Sequence, residues 1–335
     1  MRVLSDVARE IELYGEPANP GLGRAVIEAC RTLSVDGAIV GFRGMGKTLL
    51  ANLSALAMGK PAVIVNVAKL LAAEGEVELG EISSCHEVDK PLAKWLEGLV
   101  GRAAQRVDCN IVVKVEERGL RRLKALVKRL KEFHIMPIFD GFEDAVLRPE
   151  KYGYTAPRLL EDFFDLIDIP PTQFGLALPA ELWLKLDLQT KSRIAPTHVI
   201  RWKVEHMRQF LHRLCQCNPG PIGQLELKNP TAVVNFAEEL KQHTPEKVVE
   251  KRLEELRHIA QEVAPRGADA LFEILKELWW QQNIYADLPR RPGKRVSFLV
   301  RGMGGYGLSS DMIERIRAYV YGREELRHLI YELLL

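Results

Sequence analysis

The chain has 335 residues, 47 Lys+Arg against 45 Asp+Glu, 47% hydrophobic content and five cysteines. At roughly 100–200 residues per domain this is room for about two domains, and the ordinary apolar fraction excludes a mainly disordered chain. A net charge of +2 gives no global field for nucleic acid, so any basic surface has to be local, and scattered cysteines exclude a disulfide scaffold.

The start of the chain carries Asp6 and Glu10 where a signal peptide would have its apolar core. The richest apolar stretch, 49–73, is broken by Asn52, Lys60, Pro61, Asn66 and Lys69, which excludes a transmembrane helix. The expectation is a soluble, cytoplasmic protein with no membrane partner. Short apolar runs alternating with longer amphipathic stretches predict a parallel α/β sheet in the first half. In chain order, 38–41 reads as a strand, 46–58 as a helix and 62–67 as a strand apolar enough to be covered on both faces. Leu92, Trp95, Leu96 and Leu99 give 90–106 a helical face. Next come a strand at 110–115, a basic amphipathic helix at 120–133, and strands at 135–140, 174–178 and 198–202. Beyond Trp202 the texture changes: 204–215, 231–242, 246–263 and 268–281 all have helical periodicity, punctuated by Pro219, Pro221, Pro230 and Pro245. A basic segment, 289–295, leads to a short strand at 296–300, a glycine cluster and two closing helices.

The strongest motif is Gly41-Phe42-Arg43-Gly44-Met45-Gly46-Lys47-Thr48. It fits the P-loop pattern of Gly, four residues, Gly, Lys and Ser/Thr, between an apolar strand and an Ala/Leu-rich helix. Glycines let the backbone curl with its N–H groups turned inward toward phosphate oxygens. The following helix presents its positive end to the same anion. Lys47 is expected to reach the β/γ-phosphates and the Thr48 hydroxyl to bind Mg²⁺. Gly41, Arg43, Gly44, Met45, Gly46, Lys47, Thr48 and Leu49 are the expected nucleotide contacts. ATP with Mg²⁺ is the expected cofactor pair.

Such a loop needs a carboxylate at the end of a neighbouring strand to hold the metal's water shell. The run Ile135-Met-Pro-Ile-Phe-Asp140 supplies it in Asp140. Many hydrolysing relatives carry Glu directly after that aspartate, where this chain has Gly141. Glu143 is the expected water-orienting base; the alternative is that Glu143 and Asp144 merely cap the next helix.

With these pieces the chain resembles the AAA+ and related P-loop ATPases. The P-loop, the strand ending in Asn66, the acidic strand ending in Asp140 and the run Leu186-Asp-Leu-Gln-Thr-Lys-Ser-Arg193-Ile-Ala-Pro196 carry the likeness. The last run resembles the arginine-finger segment of initiator and transposition-helper ATPases. The resemblance implies a three-layer α/β P-loop core over 1–202, a helical lid over 203–288 and a small C-terminal extension over 289–335. It implies ATP hydrolysis in a homo-oligomer, with Arg193 (or Lys191) acting on a neighbour's γ-phosphate. It also implies work on DNA in replication initiation, recombination or transposition. The chain departs from the pattern where the strand at 174–178 runs into Pro179 rather than a polar sensor residue. It departs again where Ala270 replaces the arginine of the lid, leaving Arg266 as a substitute. Both departures bear on hydrolysis rather than nucleotide binding. The segment Ile138-Phe-Asp-Gly-Phe-Glu-Asp144 also resembles the acidic strand of STAND and NACHT signalling switches.

Arg118, Arg121, Arg122, Lys124, Lys128, Arg129 and Lys131 crowd one helix, and Arg290, Arg291, Lys294 and Arg295 crowd one linker. Each is either an ordinary solvated surface or a contact for duplex DNA phosphates. The run 301–307 formally contains Gly-x-Gly-x-x-Gly, but too little chain follows for a dinucleotide fold, so a hinge or tight packing is expected. His212, Cys215 and Cys217 lie close in sequence without a fourth ligand, which favours plain buried cysteines over zinc.

Overall fold

The computed structural model describes residues 38–48, 51, 61–83, 107–115, 121–143, 174–194, 197–202, 204–288, 297–302 and 305–334. The chain divides into two compact units, Met1–Phe42 with Gly46–Arg201 and Arg43–Met45 with Trp202–Leu335.

The first unit is built on strands β1 (Ala38–Gly41), β2 (Ala62–Asn66), β3 (Gly75–Glu78), β4 (Val112–Val115), β5 (Met136–Asp140), β6 (Gly175–Pro179) and β7 (Thr197–Val199). Five of them form one sheet in the order β2-β5-β6-β1-β7, and every pair in it is parallel. Every residue of β1, β5 and β6 is buried, as strands covered on both faces must be, and this is why they stand out in the sequence as unbroken apolar runs. The parallel sheet with its helices gives the unit the α/β fold of P-loop NTPases.

Two features depart from the sequence expectation. The strand within 110–115 does not join the parallel sheet; β4 pairs antiparallel with β3, a strand whose Gly-Glu-Val-Glu sequence has a single buried side chain, Val77. One buried residue in four leaves no periodicity to detect. The acidic strand β5 is also not the neighbour of β1, because β6 lies between them.

Helix α1 (Val67–Ala72) follows β2 directly, and the Asn66 side chain caps it by accepting the Lys69 N–H at 2.9 Å. Short helix α2 (Leu79–Ile82) follows β3. Helix α3 (Arg121–Glu132) buries Leu123, Leu126, Val127 and Leu130, each worth about 1.5–3 kcal/mol against exposure. Its basic residues are not all surface. The Arg122 guanidinium donates to the carbonyls of Leu70 and Leu71 at 3.1 and 3.0 Å and to that of Ala73, closing the end of α1. Arg129 pairs with Glu132 and lies 4.9 Å from the centre of the Phe133 ring. Helices α4 (Ala180–Lys185) and α5 (Leu188–Arg193) follow β6. The expected helix at 90–106 lies outside the described residues, as does Arg118.

In the second unit run helices α6 (Val204–Cys215), α7 (Pro230–Leu240), α8 (Pro245–Val263), α9 (Ala268–Trp280), α10 (Ser310–Tyr321) and α11 (Arg327–Glu332). Asn229, Thr244 and Ser309 cap α7, α8 and α10 through their side chains, and Pro230 and Pro245 occupy first-turn positions where a missing N–H costs nothing. The interior holds an ion network. Arg252, fully buried, gives its Nε to both oxygens of the buried Glu332 at 2.9 and 3.0 Å and its Nη2 to Glu239 at 2.6 Å. Trp279 Nε1 donates to Glu332 Oε2 at 2.7 Å.

Of the glycine cluster of 301–307, the described residues on either side of 303–304 are closely packed. Strands β8 (Leu299–Arg301) and β9 (Tyr306–Leu308) pair antiparallel, and Tyr306 exchanges both backbone hydrogen bonds with Leu288 at 2.8 and 2.9 Å. A Cβ at Gly302 would strike the Asp287 carboxylate. Cys215 Sγ accepts the Cys217 N–H at 3.2 Å, and burial, with Cys215 beside it, pushes the Cys217 thiol up to about 11. Cys109 is disulfide-bonded, a single cross-link rather than a scaffold. The basic segment 289–295 lies outside the described residues. No helix among the described residues is long and apolar enough to cross a membrane.

Candidate functional site

The first strand ends at Gly41, and the chain turns through a loop in which Gly44 and Gly46 have φ of 82° and 88°. Both lie in the left-handed region that side chains with a Cβ avoid, so the glycines are required by the curl itself. Lys47 opens the helical segment after the loop, and its ammonium folds back to donate to the Phe42 carbonyl at 3.2 Å. Leu49 lies outside the described residues.

Four side chains of the first unit meet here. The Lys47 ammonium, 5% exposed, stands 2.5 Å from Glu143 Oε1. The Thr48 hydroxyl donates to Asp140 Oδ2. Strands lie about 4.8 Å apart, so reaching β5 past β6 takes side chains from both ends: Thr48 from the loop and Asp140 from the strand terminus. Asp140 is buried, and its Oδ1 accepts the Gly141 N–H at 2.8 Å. Burial pushes its carboxyl above the usual carboxylate range and the neighbouring Glu143 charge adds to this, against Thr48, Lys47 and Gly141, which favour the ionised form.

The glycine after the aspartate has a physical reason. Gly141 has φ +80°, and a Cβ there would lie 3.2 Å from the Asn66 side-chain amide. A glutamate at this position would be strained and crowded. The turn instead brings Glu143, two residues on, back to Lys47. The carboxylate is thus given to the lysine, a contact that neither expectation for Glu143 included; Asp144 lies outside the described residues. Asn66 stands opposite Asp140 in the β2–β5 register. Its place beside the acid was missed because nothing in sequence links a strand end at 66 to one at 140.

Among the described residues no group of three or more His, Cys, Asp or Glu is arranged to hold a metal. The Thr48 hydroxyl and Asp140 carboxylate are two hard oxygens in contact. That set suits Mg²⁺, which takes few protein ligands and fills its octahedron with waters and phosphate oxygens. The crowding of Asp140 and Glu143 is negative charge that a cation would relieve.

The remaining sequence candidates lie elsewhere. Arg193 is the exposed last residue of α5, two residues after Lys191, whose ammonium lies 5.5 Å from the centre of the Trp183 ring. Glu181, beside the strand end that lacks a polar sensor, is buried in the first turn of α4. Arg266 is exposed in a short 3₁₀ turn, Pro265–Gly267, of the second unit.

No protein-family model matches this chain, and no curated protein does. The solved structure of a Walker-type ATPase of Pyrococcus abyssi is similar to it at 17% identity, over 89% of this chain and 95% of that one, with a TM-score of 0.35.

Proposed function

We propose that this chain is an AAA+-like ATPase that binds ATP with Mg²⁺ and hydrolyses it in the cytoplasm to drive assembly on, or remodelling of, DNA. The observation that carries the nucleotide reading is the meeting of Lys47, Thr48, Asp140 and Glu143 beside a loop with two left-handed glycines. An ATP phosphate chain in the loop would take the Lys47 ammonium from Glu143. The Glu143 carboxylate, released from its lysine, would then orient the attacking water and accept its proton. Mg²⁺ would supply charge neutralisation on the phosphates, with Thr48 and Asp140 on its protein side. Phosphoryl transfer asks little more of a protein than such positioning and charge.

The DNA reading draws support from α3, where Arg121, Lys124, Lys128 and Lys131 follow one another at three- and four-residue spacing and are all exposed. Such a stripe can neutralise successive phosphates without reading sequence. Arg193 on α5 is proposed to act on nucleotide held by a neighbouring copy in an ATP-dependent homo-oligomer. A second reading, a nucleotide-controlled switch of the STAND or NACHT kind that does not act on DNA, is favoured by Gly141, whose backbone excludes the usual glutamate.

The test is ATP affinity and turnover with and without duplex DNA. Lys47→Ala is expected to weaken ATP binding at least about tenfold, as loss of a buried charged contact should, and to abolish turnover. Unchanged affinity would sink the nucleotide reading. Salt-sensitive stimulation by DNA, lost when Lys124, Lys128 and Lys131 are neutralised, supports the first reading; turnover and assembly indifferent to DNA support the second.

A further inference from the structure

Arg43–Met45, the tip of the phosphate loop, folds as part of the second unit. Its three consecutive carbonyls are each taken by a side-chain donor of that unit. Asn229 Nδ2 donates to the Arg43 carbonyl at 2.7 Å, Thr231 Oγ1 to that of Gly44 at 3.1 Å, and Trp202 Nε1 to that of Met45 at 3.2 Å. Asn229 is completely buried, and its Oδ1 also accepts the Thr231 N–H at 3.0 Å as the cap of α7. One side chain thus begins a helix and grips the loop.

The peptide group is planar and trans, so each carbonyl and the N–H that follows it point in opposite directions. Holding the carbonyls of 43, 44 and 45 turns the amides of Gly44, Met45 and Gly46 away from the three donors. Those amides are the ones a P-loop offers to phosphate oxygens. Gly44 supports the same conclusion. The P-loop pattern leaves its position open to any residue, yet a Cβ there would lie 2.7 Å from Asn229 Oδ1, 2.8 Å from Tyr331 Cδ1 and 2.9 Å from Thr231 Cβ. Its glycine is needed for close seating on Asn229 and Thr231 as well as for its positive φ.

We propose that Asn229, Thr231 and Trp202 are positioning residues of the phosphate loop, holding its carbonyls so that three amides are set for a polyphosphate before one arrives. Such a donor set lowers the ordering cost of binding and so appears as affinity for the phosphate chain. The proposal rests on the ATP-binding reading above.

Thr231→Val removes only the hydroxyl donor, Thr231→Ser restores it, and Asn229→Ser keeps a good helix cap while losing the reach to Arg43. The probes are Mg-ATP and inorganic tripolyphosphate, titrated calorimetrically against the full chain. Thr231→Val and Asn229→Ser are each expected to weaken both ligands about 5–10-fold, the value of one hydrogen bond, with Thr231→Ser within about twofold of wild type. Because tripolyphosphate has no adenosine, a parallel loss on both ligands assigns the effect to the loop. Should Asn229→Ser fail to fold, the Thr231 pair carries the test alone. Folded Thr231→Val binding tripolyphosphate like the wild type overturns the positioning role. If Lys47→Ala still abolishes binding in that case, the ATP reading survives; if the wild type itself binds neither ligand, both fall.

Discussion

Two buried clusters of charge, one in each unit, have opposite characters. Around Arg252 the partners complete each other: burial works against the guanidinium's charge, but Glu332, Glu255 and Glu239 together hold its pKa above the usual value. Glu332 is pushed up by its burial, and Arg252, His328 and Trp279 pull against that. Each of its oxygens has a donor within 3.0 Å. Beside the loop after β1, Lys47 pairs with Glu143, and Asp140, raised by burial just as Glu332 is, takes the neutral donors Thr48 and Gly141. The physical distinction is whether the buried carboxylate has a cation within hydrogen-bond reach.

The largest expected contrast is in turnover. Glu143→Gln should lower ATP hydrolysis about 10²–10⁴-fold, the usual worth of a general base, while ATP affinity stays level or tightens, because a neutral amide competes less for Lys47. Single-turnover rates and equilibrium binding measured side by side separate the two effects. Retained turnover would move the base elsewhere.

Next in size is Arg252→Ala, which leaves Glu332 buried without its cation and should cost about 3–5 kcal/mol in chemical denaturation. The pair Arg252→Met with Glu332→Leu should recover much of that loss, since an apolar pair needs no partner. A double variant as unstable as the single would mean the network does more than satisfy its own charges.

The smallest effect has the most specific sign. The Asp140 carboxyl is raised in the folded protein, so between its unfolded pKa and its folded one the native state keeps a proton that the unfolded chain has lost. Stability from this group therefore falls as pH rises through that window and stays lower above it. Asp140→Asn should remove the penalty, raising the melting temperature of the ligand-free protein at neutral pH while abolishing Mg²⁺-dependent hydrolysis. The same variants compared well below the window should differ least. A lower melting temperature at neutral pH would contradict the imbalance drawn between the two clusters.

Much of this site is legible from the linear chain, for particular reasons. Gly41, Gly46, Lys47 and Thr48 sit at fixed offsets because one backbone curl needs them there, and Asp140 ends an apolar run because a parallel strand must be buried until it reaches the end of the sheet where that loop lies. Glu143 is half-legible: its charge can be seen, but not that the φ of Gly141 would carry it back to Lys47. Asn229 and Thr231 announce only a helix start, with Pro230 between them.

Periodicity and local spacing alone determined the strands of the parallel sheet, the helices after Trp202 and the glycine-bearing loop after the first strand. These depend on backbone sterics and on which side chains avoid water, both written into short windows of sequence. Only the tertiary structure decided that β6 separates β1 from β5, that β4 pairs with β3, that Arg122 closes a helix instead of facing solvent, and that three side chains beyond residue 200 hold the carbonyls of residues 43–45. Those are meetings between distant segments, set by how the elements pack.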